Sequence, residues 1–147
     1  MRDIDLLRIR DLLGSMAEAL TRLRELGQLS LPEFLADYRN TESSKYLLIV
    51  AIEAAIDICN HIVARQGGSA PQYYADCFAI LTDLKAITSD LTPRLKRMAR
   101  FHNLLVHLYW KVDDRRVYEV IHQDLDDLDI FRQQVSAWAE RGSNSTS

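Results

Sequence analysis

Glycine and proline are scarce in this chain of 147 residues, which has five glycines and three prolines. Their scarcity argues against a β fold rich in tight turns and favours long helices with few breaks. No uninterrupted apolar run reaches the roughly 18 residues that a membrane-spanning helix requires. The first residues, "MRDIDLLRIRDLL", carry acidic groups where a signal peptide has an unbroken apolar segment. We therefore expect a cytoplasmic protein with no membrane segment.

Cysteine is also scarce, since the chain has only Cys59 and Cys77. The two are not a CxxC pair, and no zinc-binding spacing occurs anywhere in the sequence. Both lie in apolar segments, which predicts small buried thiols in a reducing compartment. We expect no metal and no cofactor.

The net charge of −3 excludes a strong general affinity for nucleic acid, but the charges are unevenly distributed. Residues 94–116 contain seven Lys or Arg side chains and two Asp side chains, which gives a local charge of +5. Residues 119–129 contain five acidic side chains and no Lys or Arg. Two interpretations remain open, namely a pair of solvated helix faces or a local phosphate-binding surface.

Apolar positions recur at helical spacing along most of the chain, and no alternating pattern typical of strands competes with them. Ser30, Thr41, Thr92, and Asp113 or Asp114 are the expected helix caps, with Gly27 and Gly142 as helix ends. The predicted helices are 3–26, a short one after Ser30, 41–65, one from 69–71 to about 87, 92–109 and 115–141. The pattern predicts an all-α, up-and-down bundle of four to five long helices in one domain, 1–141, followed by a disordered tail, 142–147.

The central helix is apolar on nearly all sides, which favours homodimerisation through it. One polar stripe interrupts its apolar surface and consists of Glu53, Asp57, Asn60 and His61. An acid on a buried helix must find a cation or hydrogen-bond donors. The stripe is therefore either a network that orients a neighbouring helix, or a set in which Glu53 or Asp57 lines a functional cleft.

The segment "RFHNLLVHLYW", residues 100–110, places ionisable groups in an otherwise apolar helix. Arg100 and His107 are seven residues apart and lie within about 20° of each other, as do His102 and Tyr109 on a second face. His102 and His107 are five apart, which is unsuitable for clamping a metal between them. The polar groups are either a buried network or a metal-free site for RNA cleavage, where histidine moves protons and arginine stabilises phosphate charge.

The run "NLLVHLYWKVDDRRVYEVI", residues 103–121, closely resembles the signature of the HepT toxins, a branch of the HEPN superfamily. That signature is Arg-x4-His-x-Tyr followed by a Val-Asp-x-x-x-Val/Ile-Tyr/Trp run. His107 and Tyr109 match the His and Tyr of the motif, and the segment "AIEAAIDICNHI", residues 51–62, resembles the family's central helix. The later run is matched by Val112, Asp113, Val117 and Tyr118. The resemblance covers roughly residues 1 to 138.

The resemblance implies a homodimeric, metal-independent endoribonuclease, the toxin of a type VII-like toxin–antitoxin system, with RNA as substrate. It implies a site in which the motif helices of two subunits meet, with His107, position 102, Arg100 and Asn103 as catalytic candidates. It further implies that a minimal nucleotidyltransferase (MNT) antitoxin neutralises the protein by attaching AMP to Tyr109. A bulky anion beside His107 would block the cleft and repel RNA phosphate.

The sequence departs from the motif at one position, because His102 stands where the family has arginine. An imidazole is shorter than a guanidinium and cannot make its forked contact to phosphate. Either Arg100 takes over the role, or the protein is attenuated, which we favour. A non-catalytic helical dimer that binds a nucleotidyltransferase or a nucleotide is the alternative function.

Overall fold

A computed structural model describes residues 4–66 and 74–144, and these ranges form seven α-helices and one 3-10 turn, with no β-strand. The helices are α1 (Leu6–Leu26), α2 (Leu31–Ala36), α3 (Tyr38–Arg65), α4 (Tyr74–Asp83), α5 (Thr92–His107), α6 (Asp114–Gln123) and α7 (Leu125–Asn144). The 3-10 turn, Tyr109–Lys111, follows α5. The predicted all-α bundle is confirmed, with α1, α3, α5 and α7 as its long helices.

The core of the bundle is organised around α3, which packs against all six other helices. By length and composition α3 could cross a membrane, with a mean hydropathy of 1.9 over its most apolar window. Of that window 56% is buried inside the protein, as in the core helix of a soluble bundle. The apolar positions that recur at helical spacing in the C-terminal part are buried and are Val117, Val120, Ile121, Leu125, Leu128, Phe131 and Val135.

Two helix starts show how capping decides the boundaries. Ser30 caps α2, as the sequence predicts. In the structure, Glu33 completes a reciprocal pair of bonds with it. The prediction that Thr41 caps the central helix is wrong, because α3 begins at Tyr38 and Asp37 accepts the bond from the amide of Arg39. Thr41 is buried within the helix. The expected start of α1 at residue 3 lies outside the described residues, and Asp5 caps that helix.

The connection between α4 and α5 also differs from the prediction. Helix α4 ends at Asp83 instead of residue 87, because Lys85 adopts a φ of 63° and the amide of Ala86 bonds back to the carbonyl of Leu81. The predicted start at residues 69–71 lies outside the described residues. Thr92 is the first residue of α5 and not its cap, and its hydroxyl bonds to that of Thr82.

The single helix predicted for residues 115–141 is divided into two helices, α6 and α7. Asp113 caps α6 as expected, but the chain turns at Asp124 before α7 begins at Leu125. Helix α7 runs through Gly142 to Asn144, so the prediction that Gly142 ends it is wrong. The turn lets α6 and α7 cover different parts of the core, which one straight helix could not do.

The two cysteines join α3 to α4. Cys59 and Cys77 are each 0% exposed, which confirms their predicted burial. Their sulfur atoms form a disulfide, with Cα atoms 6.0 Å apart, so the prediction of free thiols is wrong. Sequence separation alone could not indicate that α3 and α4 bring these two positions together.

Candidate active site

The motif segment crosses a helix end. Helix α5 stops at His107, where the amide of Leu108 bonds to the carbonyl of Leu104, and the chain then enters the 3-10 turn. Tyr109 therefore lies outside the helix, so the prediction that it shares a helical face with His102 is wrong. The helical spacing rule fails here because the backbone at Leu108, with φ −132° and ψ 41°, is no longer helical.

His102 faces the interior of the subunit. Its ring is 4% exposed, and Nε2 lies 3.1 Å from Oε1 of Glu53 on α3. Its Nδ1 lies 3.4 Å from Oδ1 of Asn103. The contact with Glu53 ties α5 to α3, which supports the interpretation of the polar stripe as a network that orients the motif helix.

The rest of the polar stripe lies near this contact. Burial, and then the charge of Glu53, raise the pKa of the Asp57 carboxyl above its usual value. One turn further on, Nε2 of His61 accepts a bond from the amide of Asp5 at 3.0 Å, and burial lowers the pKa of that ring. These groups join α3 to α5 and to the start of α1, and Asp57 is the only carboxylate of the stripe besides Glu53.

His107 faces solvent at the C-terminal end of α5. In the ranges that the structure describes, its ring makes no hydrogen bond and no ion pair, so both ring nitrogens are open to a ligand. Arg100, two turns earlier on the same side of the helix, is also exposed. On one face of the helix, the imidazole can take up or give a proton while the guanidinium, which stays charged, holds an anion.

Tyr109 has polar partners on α3 that the sequence did not indicate. Its hydroxyl donates a hydrogen bond to Glu42, and the ammonium of Lys45 lies 4.4 Å from the centre of its ring. Lys45 is 5% exposed and also lies 3.5 Å from Asp114. Burial, then the bond to Glu42 and its charge, raise the pKa of Tyr109 to about 12. The phenol is therefore protonated at neutral pH, with a carboxylate in place to accept its proton.

Sequence reasoning missed Glu42 and Lys45. A lysine near the start of an apolar helix is ordinarily a surface residue, and no motif distinguishes this one. Its buried position under Tyr109 identifies it in the structure. A signal was present in the run "TESSKYLLIV", where Lys45 falls in phase with the buried positions Thr41 and Leu48.

Large apolar side chains are exposed around the end of α5. Trp110 is 75% exposed, and the others in this group are Leu104, Val106 and Leu108. Exposed apolar groups of this size next to polar candidates are typical of an interaction surface. Most apolar side chains in the middle of α3 are, by contrast, buried within the subunit, and homodimerisation through this helix stays a prediction.

A family profile described as "Ribonuclease HepT-like" matches residues 16–135, which is most of the chain and includes all the candidate residues above. The chain belongs to the ribonuclease HepT-like family. The predicted relationship and the enzyme class, a ribonuclease, are therefore confirmed. Among residues 4–66 and 74–144, no group of three or more His, Cys, Asp or Glu side chains could hold a metal ion.

Individual relatives agree with the family assignment. This HepT-like chain is 32% identical over 105 residues to the mRNA nuclease HepT of Shewanella oneidensis, covering 71% of this chain and 79% of the relative. It is 23% identical over 138 residues to the tRNA nuclease HepT of Aphanizomenon flos-aquae, covering 94% of each. A solved structure of the tri-AMPylated Shewanella oneidensis HEPN toxin in complex with its MNT antitoxin superposes with a TM-score of 0.80 at 28% identity. That superposition covers 93% of this chain and 99% of the toxin.

Proposed function

We propose that this HepT-like chain is the toxin of a HEPN/MNT toxin–antitoxin pair and cleaves RNA without a metal, with His107 as the proton-transferring residue. The observation that carries the proposal is the environment of His107. It is an exposed imidazole with no partner among the described residues, on the same face as Arg100, in a family of ribonucleases. The relatives of the chain include an mRNA nuclease and a tRNA nuclease, so RNA is the proposed substrate.

The chemistry needs no nucleophile from the protein. The 2′-hydroxyl of RNA attacks the adjacent phosphorus, a bond forms between the 2′-oxygen and phosphorus, and the bond to the 5′-oxygen breaks. The proton of the 2′-hydroxyl passes to a base, and the 5′-oxygen takes up a proton from an acid. An imidazole serves in either step at neutral pH, and a guanidinium stabilises the charge on the phosphorane.

His102 is proposed to attenuate the enzyme. Arginine at this position would extend further from the helix and carry a fixed charge, whereas the imidazole is bound to Glu53 inside the subunit. Arg100 and Asn103 are both exposed on α5 and remain candidates to contact the scissile phosphate. Glu53 is assigned a supporting role through His102, and Asp57 a supporting role through Glu53.

The active form is proposed to be a homodimer in the cytoplasm. The exposed apolar side chains next to His107, with Trp110 at 75% exposure, favour a second copy over this surface. Such an arrangement would bring two copies of His107 towards one shared cleft. The proposed contact therefore consists of Val106, Leu108 and Trp110 at the end of α5 and in the turn after it.

Tyr109 is the proposed attachment point for AMP from the antitoxin. The related Shewanella toxin is AMPylated and bound to an MNT antitoxin, which supports the same partner class here. The phenolic oxygen would attack the α-phosphorus of ATP, release pyrophosphate and give its proton to Glu42, which already accepts its hydrogen bond. The added phosphate would lie two residues from His107 and repel RNA.

One observation favours a second candidate, a non-catalytic helical dimer that binds a nucleotidyltransferase or a nucleotide. The motif arginine is missing, and the histidine in its place has a structural partner. In that case His107 would be an exposed side chain with no catalytic part.

Expression of the wild type, His102→Arg, and His102→Arg with His107→Ala tests these alternatives. We expect His102→Arg to slow growth and degrade RNA more than the wild type, and His107→Ala to abolish both effects, with cleavage reduced about 10²- to 10⁴-fold. Arg100→Ala in the wild-type background shows whether Arg100 replaces the motif arginine. If His102→Arg causes neither toxicity nor cleavage that depends on His107, the enzymatic proposal is wrong.

A further inference from the structure

A concave basic surface lies beside α5 on a face different from the one that holds the Glu53 contact. It is a cleft of about 420 Å³ between α5, the 3-10 turn and α6. Four cations, three apolar side chains and Asp113 line it, and we call this lining the cationic cleft: Arg97, Arg100, Phe101, Leu104, Lys111, Val112, Asp113 and Arg116. Since His102 is two residues from Arg100, it points about 200° away around the helix.

The charges of the cationic cleft are largely unneutralised. Arg97, Arg100 and Lys111 form no ion pair within the described ranges, and Asp113 is the one acidic residue in the lining. Arg116 lies 3.3 Å from Glu119. The acidic residues of the neighbouring segment form their ion pairs elsewhere, since Asp126 and Asp129 pair with Arg24, Asp129 also with Arg132, and Asp127 with Arg94. Of the cleft cations, Arg97 also interacts electrostatically with Asp127. A concave surface with unpaired positive charge concentrates polyanions.

The apolar part of the cationic cleft suits a nucleobase. The ring of Phe101 forms part of the lining, with the guanidinium of Arg116 5.9 Å from its centre. Leu104 lies in the same lining and is 46% exposed. Unstacked RNA bases bind on apolar and guanidinium surfaces of this kind. The combination of cations around an apolar patch distinguishes the cleft from a simple charged face.

The cleft continues directly towards His107. Arg97, Arg100, Leu104 and His107 are spaced three, four and three residues apart, so they form one stripe along α5. His107 lies about 10 Å beyond Arg100 along the helix axis. One extended strand could therefore contact the cleft and His107 together.

We propose that the cationic cleft binds the stretch of single-stranded RNA next to the scissile phosphate, with phosphates at Arg97 and Lys111 and a base against Leu104 and Arg116. This inference rests on the proposed ribonuclease function and assigns its substrate path. It makes Arg97, Lys111 and Arg116 binding residues, which act on affinity more than on the chemical step.

Binding of a fluorescent single-stranded RNA to the full chain over a range of salt concentrations tests the cleft. The double variant Arg97→Ala/Lys111→Ala should bind at least about tenfold more weakly and lower the salt slope by about 1.4, or about 0.7 for each lost phosphate contact. The matched control is Arg10→Ala/Arg65→Ala, which removes two exposed arginines that lie away from the cleft and form no ion pair in the described ranges. Equal weakening by both pairs, or none by the cleft pair, would overturn the inference.

Kinetics in the His102→Arg background separate the two proposals. If that enzyme cleaves RNA, the cleft pair should raise KM about tenfold or more with kcat retained, and an unchanged KM would reject the cleft while leaving the ribonuclease in place. If it does not cleave but RNA binding still depends on the cleft pair, the ribonuclease proposal fails and the cleft stands. If the cleft pair instead lowers antitoxin binding and leaves RNA affinity unchanged, the cleft is a protein-binding surface and the inference is wrong.

Discussion

His102 and His107 lie five residues apart on one helix, yet their environments are opposite. The first is 4% exposed and lies 3.1 Å from Glu53, whereas the second is exposed and has no partner in the described part of the chain. The middle of α5 is therefore part of the scaffold, and its end is part of the working surface. The same residue type is enclosed in one turn and exposed in the next, because helical rotation turns one ring towards α3 and the other towards solvent.

This contrast changes what the missing motif arginine means. The imidazole at position 102 has a structural role, since its contact with Glu53 joins α5 to α3. A variant that restores arginine must therefore keep the contact with Glu53 or lose some stability. Substitutions in the middle of α5 should mainly change stability, and substitutions at its end should mainly change activity. Three measurements test that distinction.

The largest expected effect is the complete loss of AMP attachment when Tyr109 is replaced. Incubation with the MNT antitoxin and ATP should add mass in steps of one AMP, and Tyr109→Phe should abolish the gain. The matched control is Tyr118→Phe, because Tyr118 bonds to the carbonyl of Leu29 at 2.7 Å and serves the scaffold. Mass spectrometry of intact protein and of peptides measures the change. A gain that persists in Tyr109→Phe, or none with an active antitoxin, would contradict the assignment.

The acid dissociation constant of Tyr109 is expected to be roughly a hundredfold lower than that of a free tyrosine. Its pKa is raised from 10.0 to about 12, so its phenolate should form last when the protein is titrated by ultraviolet absorbance. The folded state holds this proton more tightly than the unfolded chain does. The resulting stabilisation is complete below pH 10 and is lost as the pH rises towards 12.

Two substitutions check the origin of that shift. Tyr109→Phe should remove the late step, and Glu42→Gln should lower the pKa only part of the way, because burial is its first cause and the bond to Glu42 the second. A full return to 10 in Glu42→Gln would mean that burial contributes little. No change at all would mean that Glu42 does not hold the hydroxyl in solution.

The smallest effect, about tenfold in the folding equilibrium, compares the two histidines directly. His102→Ala removes a buried ring and its bond to Glu53, which should cost about 1–2 kcal/mol of unfolding free energy. His107→Ala changes an exposed side chain and should stay within about 0.5 kcal/mol. Urea denaturation measures both. Equal destabilisation by the two variants would mean that the contrast between scaffold and working surface is false.

Much of the fold could be predicted from the sequence because helical periodicity records which residues face the core. The buried stripe of the C-terminal helices and the capping of α2 by Ser30 followed from pattern alone. The helix ends were less predictable. The early start of α3, the turn at Asp124 and the stop at His107 depend on backbone conformations that tertiary packing selects among nearly equal local choices.

The candidate site likewise contains residues that the sequence indicated and residues that only the structure revealed. The motif residues His107 and Tyr109 were found by spacing and resemblance, because they are close together in the sequence. Glu42 and Lys45 were not found, because they reach Tyr109 across more than sixty residues of chain, as the 67-residue separation between Glu42 and Tyr109 illustrates. The pairing of Cys59 with Cys77 likewise depended on how α3 meets α4.

By itself, the sequence determined the helical class, the buried faces and the position of the motif, since these depend on residue type and on short-range spacing. Only the tertiary structure decided which histidine is enclosed, which carboxylate accepts the hydrogen bond of the Tyr109 hydroxyl and which cations of the cleft form no ion pair among the described residues. Those properties depend on distances between helices that are remote in sequence, and burial and electrostatic interaction act through space and not along the chain.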